Sequence, residues 1–331
     1  MVLAWLIGAF GGAQVISATG DSLGDTWWLI TLFAAGAGVF MHLMVRWLTP
    51  YAEPIMLPTA FLLNMLGLVM IFRLDIADAQ RAAANGSPEP SPAVTSQIMW
   101  MMLGAVLLAA VIFLVRDHRA LQRYTYISLL LGVILLLLPL IPGLGLTLNG
   151  ATLWIQIGPY TFQPGEIAKI VLAVFLAGYL VTARDSLSIV RHRVLGIAVP
   201  RGRDLGPILV AWAIALGVLV FERDLGTSVV FFGLFVSVLF VATGRRSWLV
   251  IAALLVLIGG FLAYLAFGHV RVRVDIWLDP FADPAGQGYQ IVQSLFGLAN
   301  GGLLGTGLGQ GYPQLVPFAN SDFIIASFGE E

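Results

Sequence analysis

The sequence predicts an all-α polytopic membrane protein, a bundle of about nine transmembrane helices with one large extracytoplasmic loop. Three observations carry that prediction. Of 331 residues, 59% are hydrophobic and only 11% are charged, whereas a soluble domain carries roughly a quarter charged residues. The mean hydropathy is +0.92. Apolar stretches approaching the ~20 residues that cross a bilayer recur along the chain, and the ~10-residue alternating segments of a membrane barrel do not. A net charge of −1 gives no support for a nucleic-acid partner. The chain has no cysteine, which excludes disulfides and thiolate chemistry. His42, His118, His192 and His269 are scattered without metal-ligand spacing. No basic segment precedes the first apolar stretch, so no cleavable leader is expected.

In chain order the expected spans are 2–19, 27–47, 54–74, 97–115, 124–142, 166–183, 204–221, 226–243 and 248–268. Pro58 and Pro139 fall inside spans, where neighbouring helices tolerate a kink. Arginine sets the sidedness. Arg46, then Arg116, Arg119 and Arg123, then Arg184, Arg191, Arg193, Arg201 and Arg203, then Arg245 and Arg246 fall in alternate connections. Those connections are cytoplasmic, and so is the N-terminus. The connections 75–96, 143–165, 222–225 and 269–322 are then outside, and Arg73, Arg81, Arg223, Arg271 and Arg273 are counted with them. The outer segment 85–94, NGSPEPSPAV, reads as a flexible, partly extended spacer.

Acidic residues concentrate in compact outer motifs. In GPYTFQPGEIAKI (158–170), Pro164 and Gly165 break the chain and Glu166 opens a helix, where a carboxylate suits the helix dipole. Lys169, the only lysine, follows on the same helix face inside an apolar span. A charge there costs at least ~2.5–3.5 kcal/mol. Two readings fit: an ion pair that snorkels and anchors the helix, or a cationic site for an anionic ligand. In VFERDLGTSVVFF (220–232), Asp224 suits a cap for the following helix. Capping leaves Glu222 and Arg223 unexplained, and a site role for either is the alternative.

WLDPFADPAGQGYQ (277–290) holds two Asp-Pro pairs. Each starts a turn, because proline restricts the residue before it. Gly286 and Gly288 then permit tight bends or close ligand approach. Asp279 and Asp283 are either solvated turn residues or, chiefly Asp283, a positioned general base or metal ligand. The next stretch, YQIVQSLFGLANGG (289–302), is too short and polar to span and suits an interfacial or re-entrant helix interrupted by Gln290, Gln293, Ser294 and Asn300. GGLLGTGLGQG (301–311) has neither a Walker lysine nor the strand-to-helix context of a dinucleotide fingerprint, so nucleotide binding is rejected. Trp154 and Tyr160 lie in an outer connection, suited to the membrane interface or to stacking on a sugar.

Six ordered motifs resemble the SEDS proteins of bacterial cell-wall growth, the RodA/FtsW type: NGATLWIQIGPYTFQPGEIAK, FERDLGTSVVFFGLF, VATGRR, DPFADPAGQGYQIVQS, GGLLGTGLGQG and PFANSDFIIASFGEE. The resemblance covers about 54–331, and the two spans in 1–53 look like the extra N-terminal helices of actinobacterial RodA-like members. It implies a glycosyltransferase core that polymerises lipid II at the outer face of the plasma membrane, beside a class B penicillin-binding transpeptidase. It carries the family's critical loop aspartate onto Asp283, the QPxExxK glutamate and lysine onto Glu166 and Lys169, and the tight-hairpin acid onto Asp224. Leu153 stands where many members have a basic residue. The family usually runs ten core helices, whereas seven are expected here, so a fragment or truncated chain is expected.

Joining an acceptor hydroxyl to an α-linked donor with inversion needs a base and a stabilised leaving group. Asp283 is expected as the base. Lys169, with Arg223 or a divalent cation (Mg2+ or Mn2+) held by outer acids, is expected on the pyrophosphate. Trp154, Gln163, Glu166, Glu222, Asp224, Gln293 and Ser294 complete the expected substrate contacts, and neither nucleotide nor haem is expected. Two other classes compete: a lipid-linked sugar flippase or ion-coupled carrier, and a non-catalytic scaffold of the cell-wall machinery.

Overall fold

The computed structural model describes residues 1–20, 24–88, 90–148, 151–158, 160–188, 192–194, 197–199, 206, 210 and 225–331. Among these residues eight helical segments are long and apolar enough to cross a membrane. The main helices are α1 (Val2–Thr19), α2 (Gly24–Leu48), α3 (Met56–Ala84), α4 (Ala93–Leu114), α5 (Thr125–Leu137), α6 (Pro164–Ser188), α7 (Leu225–Thr243) and α8 (Ser247–Ala266). They match eight of the nine expected spans. The expected span 204–221 lies outside the described residues except for Gly206 and Val210, both helical. Two compact units divide the chain: Met1–Arg116 with Tyr264–Glu331, and Asp117–Ala263.

In the first unit, small residues let helices approach closely, as membrane packing requires. A Cβ at Gly8 would collide with the Met65 side chain, and one at Gly12 would collide with the Trp27 indole. Trp27 is fully buried. Its Nε1 donates to the Ala9 carbonyl at 3.1 Å, and its ring lies 4.8 Å from that of Phe72. Gly8 faces Met65 and Gly11 faces Val69, so α1 and α3 run parallel, with Val15 near the level of Arg73.

Helix α3 continues ten residues beyond the expected end at residue 74, because its polar outer stretch is supported on both sides. Asp75 accepts hydrogen bonds from the Ala93 and Val94 N–H groups at 2.9 and 2.8 Å, satisfying the open donors that begin α4. Arg81 donates to the Gln314 carbonyl at 3.0 Å. Arg73 is a helix residue rather than a loop residue. Its Nε meets Glu331 Oε1 at 2.8 Å, with side-chain exposures of 5% and 0%, and it donates a second bond to the Gly311 carbonyl at 2.7 Å.

The expected loop 269–322 contains two helices, α9 (Gly268–Leu278) and α10 (Tyr289–Gly301). α9 is held to the preceding segment by Tyr264 Oη, 3.3 Å from Asp275 Oδ1, and by Arg271 over the Tyr264 ring at 5.5 Å. α10 occupies the stretch for which the sequence suggests an interfacial or re-entrant helix. A short final helix, α11 (Ile324–Glu330), brings two glutamates back beneath it.

In the second unit α5 and α6 pack closely: a Cβ at Gly132 would meet Leu172, and one at Gly178 would collide with the Thr125 hydroxyl. Buried Leu136, Ala168, Leu172 and Phe231 form one cluster, and Phe175, Leu176, Leu239 and Trp248 another. The expected outer connection 143–165 is not irregular. It carries an antiparallel sheet of β1 (Gly145–Leu148), β2 (Ala151–Ile157) and β3 (Tyr160–Phe162). A second short pair, β4 (His192–Val194) and β5 (Ile197–Val199), lies in an expected cytoplasmic connection.

Gly12→Ala should drive a methyl into Trp27 and lower stability by about 1–3 kcal/mol. Gly36→Ala, where a Cβ meets open space, should not. Melting in detergent compares the two. Arg73→Met leaves Glu331 buried without its cation and should cost about 3–5 kcal/mol. The double variant Arg73→Met/Glu331→Leu should recover part of that loss.

Candidate active site

Asp283 sits between a 3₁₀ turn (Pro280–Ala282) and α10, and its side chain is exposed. Both carboxylate oxygens are anchored by backbone. Oδ1 accepts the Gly286 N–H at 3.0 Å and Oδ2 accepts the Gln287 N–H at 3.0 Å. The Asp283 carbonyl accepts the Gly288 N–H at 3.0 Å. The two glycines follow from this geometry. A Cβ at Gly286 would collide with the Asp283 carboxylate, and one at Gly288 would collide with the Pro280 carbonyl. The turn reading of this motif is therefore met, and it fixes the carboxylate. Each oxygen keeps a further lone pair for an incoming proton donor. Asp279 ends α9, its N–H bonded to the Asp275 carbonyl at 2.9 Å.

At the start of α6, Pro164 occupies the first turn, where its missing N–H is not needed. The Glu166 N–H donates to the Gln163 carbonyl at 3.1 Å. Lys169 Nζ lies 2.8 Å from each Glu166 oxygen. The side chains are 26% and 57% exposed respectively, so the pair itself adds only about 0.3–0.5 kcal/mol. Its consequence is orientation: one ammonium held at a helix start, with water access. Gln163, half-buried, links β3 to α6. Trp154, also half-buried, lies on β2 opposite Leu146.

Gln293 and Ser294 lie half-buried on α10. Gln293 lines a cavity of about 260 Å³ together with Asn300, Tyr312 and Glu330. Asp283, Gln293 and Ser294 belong to the first unit, and Trp154, Gln163, Glu166 and Lys169 to the second. Glu222, Arg223 and Asp224 lie outside the described residues. Among the described residues no three His, Asp or Glu side chains converge as metal donors.

A buried polar cluster escaped the sequence reading. Glu330 Oε1 accepts from Asn300 Nδ2 at 3.0 Å and from the Tyr312 N–H at 2.9 Å. Glu331 Oε2 accepts the Gly309 N–H at 2.8 Å. The Thr306 and Gly307 N–H groups donate to the carbonyls of Glu330 and Glu331 at 2.8 and 2.9 Å. The glycine-rich loop therefore directs its N–H groups at the chain's own glutamates. The signal was available: Arg73 inside an apolar run, and a Gly-Glu-Glu ending an apolar segment, are charges that membrane-spanning sequence admits only with partners.

The family of FtsW, RodA and SpoVE cell cycle proteins matches residues 54–331. A peptidoglycan glycosyltransferase RodA of Mycobacterium tuberculosis (strain ATCC 25618 / H37Rv) is 45% identical over 325 residues, which is 97% of this chain and 68% of that protein. The RodA of Mycobacterium leprae (strain TN) is 44% identical over 291 residues, 88% of this chain and 61% of that protein. A probable peptidoglycan glycosyltransferase FtsW of Nitrosococcus halophilus (strain Nc4) is 35% identical over 86% of this chain and 69% of its own length. A solved chain reported under "Structural coordination of polymerization and crosslinking by a peptidoglycan synthase complex" superposes with a TM-score of 0.46 and 25% identity, over 92% of this chain and 70% of that one.

Proposed function

The chain belongs to the FtsW/RodA/SpoVE family of cell cycle proteins, and from that premise we propose how it works. It is a multi-pass membrane protein and a peptidoglycan glycosyltransferase. Its substrate is lipid II, polymerised at the outer face of the plasma membrane, with the N-terminus cytoplasmic and a class B penicillin-binding transpeptidase as partner. The arginine bias of alternate connections supports that orientation.

The reaction is a single inverting displacement. The acceptor sugar 4-hydroxyl attacks the donor anomeric carbon, forming the new C–O bond. The bond from that carbon to the pyrophosphate breaks, and the lipid pyrophosphate leaves with the electron pair. The hydroxyl proton passes to Asp283. What supports this role is the anchoring of both Asp283 oxygens by the Gly286 and Gln287 N–H groups, in a side chain that stays exposed. A base held in place before the substrate arrives loses little freedom in the transition state.

Lys169 supplies positive charge to the departing pyrophosphate, and Glu166 orients it. Trp154 offers an aromatic face to a sugar, and Gln163, Gln293 and Ser294 offer amide and hydroxyl groups to its hydroxyls. Glu222, Arg223 and Asp224 join the same substrate set. A divalent cation held by outer acids on the pyrophosphate would add to this positive charge, and chelator would then lower polymerisation.

Purified protein incubated with lipid II, followed by glycan-strand gels with and without chelator, tests the reading. Asp283→Asn should lower polymerisation by about 10²–10⁴-fold while lipid II binding persists. Retained polymerisation refutes the base assignment. Gly286→Ala should displace the same carboxylate and cost on the order of 10²-fold without touching any reacting group. Lys169→Met should cost about 10²–10³-fold, with Lys169→Arg recovering part. Equal losses in Met and Arg would remove the electrostatic role.

A further inference from the structure

We propose that the tip of the glycine-rich loop, Leu303–Leu304, is seated in the lipid bilayer at the boundary of headgroups and acyl chains, and so sets the height of the segment that carries Asp283. Leu303 is 103% exposed and Leu304 97%, more than any other large apolar residue but Tyr51 among the described residues. They are flanked by Gly302 and Gly305, at φ 58° and 77°. Only glycine adopts these values freely, and the reversals at both ends push the two leucines outward.

The depth of the tip follows from its neighbours. Helix α1 has 18 residues, roughly 27 Å at ~1.5 Å per residue, close to the ~30 Å hydrocarbon thickness. The backbone at Gly309 rests against Val15 and Ala18, in the last two turns of α1. Leu308 packs onto the core cluster that includes Val15. At the other end of the loop, Gly305 lies against the Glu331 carbonyl, and Glu331 is paired with Arg73 near the level of Val15. Both sides of the tip are thus tied to the end of the spanning helices, where the hydrocarbon stops. An adjacent pair of aliphatic side chains fully exposed at that height meets lipid, not bulk water.

The tip is also linked to the candidate base. α10 ends at Gly301, directly before the leucines. Phe296 on α10 contacts Phe281, two residues from Asp283, with ring centroids 6.2 Å apart. A lipid-seated tip therefore holds Asp283 near the plane where a lipid pyrophosphate would lie. This consequence rests on the glycosyltransferase reading, whereas the lipid contact itself does not.

The chain has no cysteine, so a nitroxide on Leu303→Cys or Leu304→Cys reports from one position. In nanodiscs of phosphatidylethanolamine and phosphatidylglycerol, both labels should collide severalfold more with oxygen than with a water-soluble nickel chelate. A label on Ser87→Cys, at an exposed residue beyond α3, should show the reverse. Tip labels as accessible to nickel as the one at position 87 overturn the proposal. So do tip labels shielded from both relaxants, because a partner protein or a second copy would then cover the loop. Collision is read without substrate, so a failed polymerisation assay leaves the result standing.

Discussion

The buried pairing of Arg73 with Glu331 is the constraint on which the first unit depends. An isolated charge at that depth would cost several kcal/mol, and the pair offsets this only if the remaining lone pairs are satisfied. Arg73 bonds one oxygen of Glu331, so the remaining needs of the two glutamates fall to backbone and amide N–H groups. The loop 301–311 and the residue after it supply backbone donors, Gly309 to Glu331 and Tyr312 to Glu330. A chain that turns its N–H groups inward around carboxylates needs left-handed residues, and Gly305, Gly307 and Gly309 all have positive φ. This accounts for the glycine pattern of the loop. Its anion-binding concavity is occupied by the protein's own carboxylates.

The same rule, that charge inside or beside lipid must be held, shapes the other polar groups. Lys169 is met by both oxygens of Glu166 within one turn of its own helix. Asp75 is consumed by the start of α4. Asp283 differs in being exposed, with only neutral donors upon it. A carboxylate fixed by a cation would already have its charge spent. One fixed by two backbone N–H groups is oriented and still offers a lone pair on each oxygen.

The sequence resolved what hydropathy measures. Eight spans within the described residues follow from apolar length alone, and their ends fall within a few residues of expectation except in α3. There the run ends at residue 74 by hydropathy, but the helix continues because Asp75 and Arg81 find partners that lie far along the chain. The sheet β1–β2–β3 was missed because 143–165 reads as an outer connection between spans, with Trp154 and Tyr160 assigned to the interface or to a sugar rather than to strands. Turn-favouring pairs were nevertheless present in the sequence, Asn149-Gly150 and Gly158-Pro159. The Asp283 motif was legible because Pro and Gly restrict a backbone locally. The Arg73 cluster was not, because it joins residues 258 positions apart.

The two supports of the first unit share no atoms. Arg73, Glu330 and Glu331 hold the loop 301–311 from below, while Gly286 and Gln287 hold Asp283 at the other end of α10. Removing a partner from the buried pair strands a charge and is felt as lost stability. Removing Asp283 strands only two N–H groups that water can reach, and is felt as lost chemistry. Stability and reactivity are thus assigned to different hydrogen-bond sets on either side of one short helix. α10 meets both sets, with Asn300 bonded to Glu330 towards one end and Phe296 against Phe281 towards the other, so the position of that helix links them.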